Sequence, residues 1–284
     1  MSLVTLRELL KDAQERNYAV GAFNTNNMEI IQAIIEAAEE ERSPVILQAS
    51  QGGLKYAGLE YIVAMVEVAA KNATVPVALH LDHGTSFEQI VKCVRAGFSS
   101  VMFDGSKHPL EDNIQKTAKV IEVAQAAGLS VEAELGKIGG TEDDITVSEE
   151  DAMMTNPEEA KYFVEKTNVD ALAIAIGTAH GPYKGQPKLD FDRLKTIRSL
   201  VSTPLVLHGA SGVGEDSIRK AIELGITKIN IDTDIRQAFT RGVQDVTNNK
   251  PEEFDPRKIL GPAKEEMKEI VKQKMRLFGC SNKA

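Results

Sequence analysis

The stretch VALHLDHGTS, Val77 to Ser86, joins an apolar run to two histidines and an aspartate within four positions. The run reads as a β-strand, and ionisable groups at its end are costly to bury without partners. Seven further segments have the same form: YAVGAFN (Tyr18–Asn24), PVILQAS (Pro44–Ser50), SSVMFDG (Ser99–Gly105), SVEAELG (Ser130–Gly136), ALAIAIG (Ala171–Gly177), PLVLHGA (Pro204–Ala210) and KINID (Lys228–Asp232). They are rich in Val, Ile, Leu and Ala and nearly continuous, as strands of a parallel sheet covered on both faces are. Between them lie amphipathic stretches. In NNMEIIQAIIEAAEEER, Ile30, Ile31, Ile34, Ile35 and Ala38 fall on one face at helical spacing. Asn156-Pro157-Glu158 predicts a helix start, with an Asn cap, Pro in the first turn and an early acid.

Eight strand–helix alternations without a linker-like break predict one α/β domain over residues 1–284, a (β/α)8 TIM barrel. An added N-terminal helix is expected near Leu3–Arg16 and a helical tail from Lys258 to Leu277. An open, doubly wound sheet is the alternative, and the strand count favours the barrel. With 42% hydrophobic but only 5% aromatic residues, the core is expected to be aliphatic. The formal charge of −9 argues against a nucleic-acid partner. No segment approaches the ~20 apolar residues of a membrane span, and the N-terminus lacks a secretory apolar core, so a cytoplasmic protein without a membrane partner is expected. Cys93 and Cys280 lie far apart without metal-like spacing and read as free thiols.

Polar residues collect at the C-terminal ends of the strand-like runs: Asn24, Ser50, Asp82, His83, Asp104, Glu134, His208, Asn230 and Asp232, with His180 one short loop beyond. In a barrel these ends meet at one rim, where barrel enzymes keep their active sites. His83, His180 and His208 could give one divalent ion three imidazoles and leave it open positions, a catalytic rather than a structural arrangement. His108 reads as a surface-loop residue. HGASGVGEDS and NIDTD stand where barrels often receive a phosphate on backbone N–H groups and a helix N-terminus. GKIGGTEDD is a glycine-hinged acidic loop able to deliver a carboxylate. Strand alternation puts His80 and Asp82 on one face and His83 on the other. Asp82 and His83 can serve one site only if the strand ends or twists there, with His80 left as an interior support.

YAVGAFN, SPVILQAS, HLDHG, SVEAELG, GGTEDD, GTAHGPYKG, LVLHGASG, KINIDTD and FDPRKILGPA run collinearly over nearly the whole chain. Together they resemble the class II, metal-dependent fructose-bisphosphate aldolases, including the tagatose-bisphosphate aldolases. The resemblance implies reversible, zinc-dependent cleavage of fructose 1,6-bisphosphate to dihydroxyacetone phosphate and glyceraldehyde 3-phosphate, a step of glycolysis and gluconeogenesis; the alternative is the tagatose epimer. It implies zinc on His83, His180 and His208, with Asp104 and Glu134 as a second or alternative metal position. Asp82 would move the proton of the aldehyde-derived oxygen, and Glu142 that of the triose ketone. Gly181, Gly209, Ala210, Ser211, Asn230, Ile231, Asp232 and Thr233 would hold dihydroxyacetone phosphate, with a monovalent cation (Na+ or K+) near its phosphate. Asn24 and Ser50 would face the remaining substrate. Arg257 resembles an arginine lent by a neighbouring subunit, which implies a homodimer or homotetramer.

The inventory suits that chemistry on its own terms. Ketose cleavage leaves an enediolate whose negative charge needs an electrophile. A lysine Schiff base would serve, but ALAIAIG carries no lysine, and Lys228 precedes the functional end of its strand and reads as structural. A chelated metal serves instead. A metal-dependent barrel hydrolase would be expected to carry His-x-His after its first strand, where AFNTN has none. A non-catalytic sugar-phosphate binder would have no need for the histidine trio with both Asp82 and Glu142.

Overall fold

The computed structural model describes residues 3–142, 145–148, 152–183 and 185–284, with Glu142 and Ile145 described through their backbone alone. Asp143 and Asp144 of the acidic loop lie outside the described residues. The chain begins with helix α1 (Leu6–Glu15), slightly shorter than the expected Leu3–Arg16 because Thr5 caps it. The Thr5 hydroxyl accepts from the Glu8 N–H, and the Glu8 carboxylate accepts from the Thr5 N–H, a reciprocal capping box. Leu6, Leu9, Leu10 and Ala13 are buried along one side of the helix.

The strands follow as β1 (Val20–Asn24), β2 (Val45–Ser50), β3 (Val77–Gly84), β4 (Ser100–Phe103) and β5 (Ser130–Leu135). A hairpin of β6 (Gly139–Glu142) and β7 (Ile145–Val147) comes next, then β8 (Ala171–Ile174), β9 (Ala179–His180), β10 (Leu205–Leu207) and β11 (Ile226–Ile231). Eight of them close a parallel barrel in the order β1-β11-β10-β8-β5-β4-β3-β2, which excludes the open doubly wound sheet. Closure rests on β1 against β11, with Val20 opposite Lys228 and Ala22 opposite Asn230. The last strand lies two residues earlier than the expected Lys228, because Ile226 and Thr227 already pair or sit within the ladder. The expected ALAIAIG run leaves the barrel at Ile174; beyond it Ala175 and Ile176 bond the loop residues Thr155 and Asp190.

The helices are α2 (Met28–Glu41), α3 (Gln51–Ala57), α4 (Leu59–Asn72), α5 (Phe87–Ala96), α6 (Leu110–Ala126), α7 (Pro157–Thr167), α8 (Phe191–Leu200), α9 (Glu215–Glu223), α10 (Thr233–Asn249) and α11 (Pro256–Phe278). Two helices rather than one follow β2, because Gly58, at φ +88°, breaks the run between α3 and α4. Asn156 caps α7 and Pro157 occupies its first turn, as the sequence predicts. Cys93 and Cys280 are buried and unbridged. Among the described residues no helix is long and apolar enough to cross a membrane.

Helix α11 packs against α10 and α2, and its buried residues Ala263, Met267, Val271 and Met275 recur every four positions along one face. A row of ion pairs joins α11 to α2: Lys264 to Glu36 at 2.7 Å, Lys272 to Glu40 at 2.7 Å and Arg276 to Glu41 at 2.5 Å. Surface pairs of this kind contribute little each, so the apolar seam carries the contact. At the crossing with α10, a Cβ on Gly242 would run into the Cα of Ala263. Gly242→Val is therefore expected to destabilise the chain by about 1–3 kcal/mol through overpacking. Thermal denaturation should show a lowered Tm with the far-UV helical signal retained; an unchanged Tm would mean that the two helices separate freely.

Candidate active site

The C-terminal end of β3 decides the geometry. His83 adopts φ +47°, in the left-handed region that non-glycine residues seldom occupy, and the pairing with β4 shifts register between Leu81 and Gly84. The strand thus turns just after Asp82. Gly84 is required beyond it, since a Cβ there would lie 2.6 Å from the Met102 carbonyl oxygen. His80 stays in the barrel interior, fully buried, with Nδ1 2.9 Å from the Ser100 hydroxyl.

Three histidines, at the ends of β3 and β9 and just beyond β10, meet at this rim. The His83 ring lies 4.7 Å from that of His208 and 5.2 Å from that of His180, centroid to centroid. The Nδ1 of His83 is 3.0 Å from an Asp104 carboxylate oxygen, so that nitrogen donates and Nε2 carries the lone pair. The Nε2 of His208 is 2.8 Å from Glu132, which likewise leaves its lone pair on Nδ1. Those two inner nitrogens, His83 Nε2 and His208 Nδ1, face each other at 2.9 Å. Two lone pairs directed at one another repel unless a cation shares them. The donor set therefore suits a divalent ion, with each imidazole oriented by a carboxylate behind it. The ligating atoms of His83, His180 and His208 lie within 4.8 Å of one another, and so do those of His83, Asp104 and Glu134.

The protonation states agree with ligation. Burial pushes His208 down to about 4, with Glu132 only partly opposing the shift, and it pushes His80 down to about 3, so both imidazoles are neutral. Burial alone would raise the Asp104 carboxyl, but the His83 ring and the Ser106 donors outweigh it and hold it well below the usual carboxylate range. Glu134 is buried too, with an oxygen 3.5 Å from His208 Nδ1.

Asp82, fully buried, accepts from three side-chain amides: Asn24 at 2.9 Å, Gln48 at 3.0 Å and Asn230 at 3.1 Å. Asn24 is thereby tied to the carboxylate. The Ser50 hydroxyl accepts from the Gly53 N–H and caps α3 at the same rim.

A cavity beside the histidines is lined by Thr141, His180, Gly181, Gly209, Ser211 and Asn230 together with Asp232 and Thr233. Gly181 and Gly209 have φ of +86° and +62°, and a Cβ on Gly209 would lie 2.5 Å from the Ala179 carbonyl oxygen. The Ser211 hydroxyl faces the N–H groups of Asp232 and Asp234 at 3.4 Å, where α10 begins. Ala210 and Ile231 are buried behind this wall. A second cavity on the other side is lined by His83, Asp104, Ser106, Lys107, Glu134 and His180, among others. Two expected residues are not gathered in. Arg257, at the start of α11, is largely exposed and pairs with Asp255 at 2.8 Å. Glu142 ends β6, and its side chain lies outside the described residues.

Four residues at the site have no role in the sequence reading. Gln48 and Glu132 sit two positions before Ser50 and Glu134 on their strands, so the two-residue period points them into the same interior. Lys228, assigned only a structural place, stands two before Asn230 and touches it at 2.7 Å. Tyr183 accepts from the Ala179 N–H and donates to the Gly209 carbonyl, both at 2.7 Å, which ties the His180 loop to the Gly209 loop.

A family model described as fructose-bisphosphate aldolase class-II matches residues 4–283. The chain is 51% identical to the fructose-bisphosphate aldolase of Thermus caldophilus, over 99% of this chain and all of that one. It is 50% identical to the probable fructose-bisphosphate aldolase of Bacillus subtilis (strain 168), over the full length of both. Among solved structures, the YdjI aldolase of Escherichia coli K12 superposes with a TM-score of 0.88 at 37% identity, covering 99% of each chain. A structure titled a putative fructose-1,6-biphosphate aldolase from Coccidioides immitis gives 0.90 at 31% identity, over 98% of this chain and 97% of that one. A closed parallel barrel, an imidazole cluster at its C-terminal rim and a full-length match of this closeness agree: the chain belongs to the class II fructose-bisphosphate aldolases, carbon–carbon lyases of a metal-dependent family.

Proposed function

We propose that the chain, acting as a single barrel domain in the cytoplasm, cleaves fructose 1,6-bisphosphate reversibly with zinc on His83, His180 and His208, as a step of glycolysis. The observation that carries this reading is the meeting of three imidazoles, the buried Asp82 carboxylate and a glycine-walled cavity at one rim. Asp104 and Glu134 serve as the second or alternative metal position, a reading supported by their carboxylate oxygens lying within 4.8 Å of a His83 ring nitrogen. When bound, the ion stabilises negative charge developing on the ketone-derived oxygen.

The chain's own residues divide the remaining work. Asp82, steadied by Asn24, Gln48 and Asn230, takes the proton of the C4 hydroxyl as the C3–C4 bond breaks. The electron pair of that bond passes into the enediolate at C2 and C3, and C4 leaves as the aldehyde carbon. Glu142 then gives a proton to C3, completing dihydroxyacetone phosphate. Gly181, Gly209, Ser211, Asp232 and Thr233 receive the phosphate of that half, with a sodium or potassium ion beside it and the start of α10 facing the anion. Ser50 faces the other half, and Arg257 reaches the second phosphate of a neighbouring subunit in a homodimer or homotetramer. The high exposure of Arg257, away from its own rim, supports that direction.

Assay of both C4 epimers tests the substrate. Fructose 1,6-bisphosphate is expected to be cleaved with the higher kcat/KM, and a strong tagatose preference would reverse the assignment. Chelation should abolish cleavage, and added Zn2+ should restore it; full activity in metal-free protein would exclude the metal. Asp82→Asn preserves shape but not the base, so turnover should fall by about 10²–10⁴-fold with bound metal unchanged. Near-normal turnover in that variant would remove Asp82 from the proton path. Tyr183→Phe deletes the bridge between the two phosphate-side loops. It should destabilise the chain by about 1–3 kcal/mol and raise KM more than it lowers kcat, which steady-state kinetics and denaturation would separate.

A further inference from the structure

Beneath the histidines lies a charged pair that the cleavage chemistry does not use. Glu132 and Lys228 are both fully buried, and Lys228 Nζ stands 3.0 Å from Glu132 Oε2. Buried ion pairs are weak contributors to stability, since desolvating both charges offsets their attraction. Their outward contacts suggest another use. Glu132 Oε1 is 2.8 Å from His208 Nε2, while Lys228 Nζ donates to Asn230 Oδ1 at 2.7 Å. Asn230 in turn donates through Nδ2 to Asp82 at 3.1 Å. His80 adds an imidazole nitrogen 3.4 Å from Glu132 Oε2.

We infer that the Glu132–Lys228 pair positions both halves of the site by fixing hydrogen-bond direction. An ionised carboxylate can only accept and an ammonium can only donate. Glu132 therefore obliges His208 to carry its proton on Nε2, which leaves the Nδ1 lone pair facing His83. Lys228 obliges Asn230 to turn its oxygen inward, which aims the amide N–H at Asp82. Neither residue touches substrate; each acts through its neighbour. The inference deepens the metal reading above and rests on it for its affinity readout, but the tautomer of His208 is observable without metal.

Glu132→Gln tests the direction of the bonds. Lys228 would draw the new amide oxygen, so the amide NH2 would face His208 Nε2. That nitrogen must then accept, and the His208 proton moves to Nδ1, the atom required for the ion. Long-range 1H–15N spectra of the metal-free protein should show His208 protonated on Nε2 in the wild type and on Nδ1 in Glu132→Gln. Zn2+ affinity, read by competition with a chromophoric chelator, should weaken about 10- to 100-fold. In Glu132→Gln/Lys228→Met the amide oxygen is released to face His208. Affinity should then recover toward the wild type, while turnover stays low because Asn230 has lost its donor. A purely structural pair would give no such recovery. Wild-type His208 protonated on Nδ1 would overturn the inference even if the variants fail to fold. So would a Glu132→Gln protein with unchanged tautomer and unchanged affinity. If the wild type bound no Zn2+ that His83→Ala abolishes, the metal reading would fail, and the tautomers would still decide the inference.

Discussion

Consecutive side chains on a strand point to opposite sides, and the site depends on breaking that rule at one residue. Asp82 and His83 are neighbours in sequence, yet one meets the amides of Asn24, Gln48 and Asn230 and the other meets Asp104 and His208. The left-handed turn at His83 makes this possible. Such a conformation costs about 1–3 kcal/mol for a non-glycine residue and persists only where its surroundings hold it. Here they do: the His83 N–H meets the Met102 sulfur at 3.4 Å, and beyond it the Gly84 carbonyl accepts from Asp104 at 2.9 Å. The strand resumes its pairing with β4 at Gly84, so the distortion is confined to Asp82 and His83, which stand opposite the single residue Met102.

With both side chains delivered to the rim, the layer below must be polar. A barrel interior is ordinarily filled by branched apolar side chains. In this one, Gln48, His80, Glu132 and Lys228 are all fully buried, each two residues beneath a residue of the rim or its approach. Their charges balance within a few ångströms: one carboxylate, one ammonium and neutral imidazoles held so by burial. Polar bonds then run from Asn24 through Asp82, Asn230, Lys228 and Glu132 to His208; there the chain stops at two facing lone pairs, beyond which His83 is bonded to Asp104. A cluster of this kind restricts the orientation of each member, because turning one amide or ring breaks its bonds to the neighbours on either side.

The upper layer was legible in the sequence because it falls at the ends of apolar runs, where a polar residue stands out. Asp82, His83, His208 and Asn230 are of that kind, and the expected turn after Asp82 follows from alternation alone. Of the lower layer, His80 was legible as an interior support and Lys228 as a structural residue; the pairing of Glu132 with Lys228 was not, although both lie inside the quoted segments SVEAELG and KINID. A single charge within an apolar strand has no sequence feature that names its partner; Glu132 and Lys228 are 96 positions apart in number and meet only because β5 and β11 face one another across a closed barrel. The period of two, which puts Glu132 beside Glu134 and Lys228 beside Asn230, was the available signal. Tyr183 was beyond reach for a different reason, since its hydroxyl acts on backbone groups of two separate loops.

The acidic hairpin shows how far local reading can go before topology takes over. GKIGGTEDD reads as a hinged loop, but part of it is a strand: β6 pairs in parallel with β9, placing Gly139 opposite Ala179 and Gly140 opposite His180. At Gly140 the backbone is at φ +98°, and any Cβ would strike the His180 carbonyl oxygen. Glycine is needed there for close approach as well as for backbone freedom. The consequence is that the backbone leading to Glu142 and the backbone carrying His180 belong to one three-stranded sheet, β7-β6-β9. A displacement of β6 relative to β9 must break bonds to the segment that presents an imidazole to the site, so the position of Gly139–Gly140 and that of His180 are mechanically coupled.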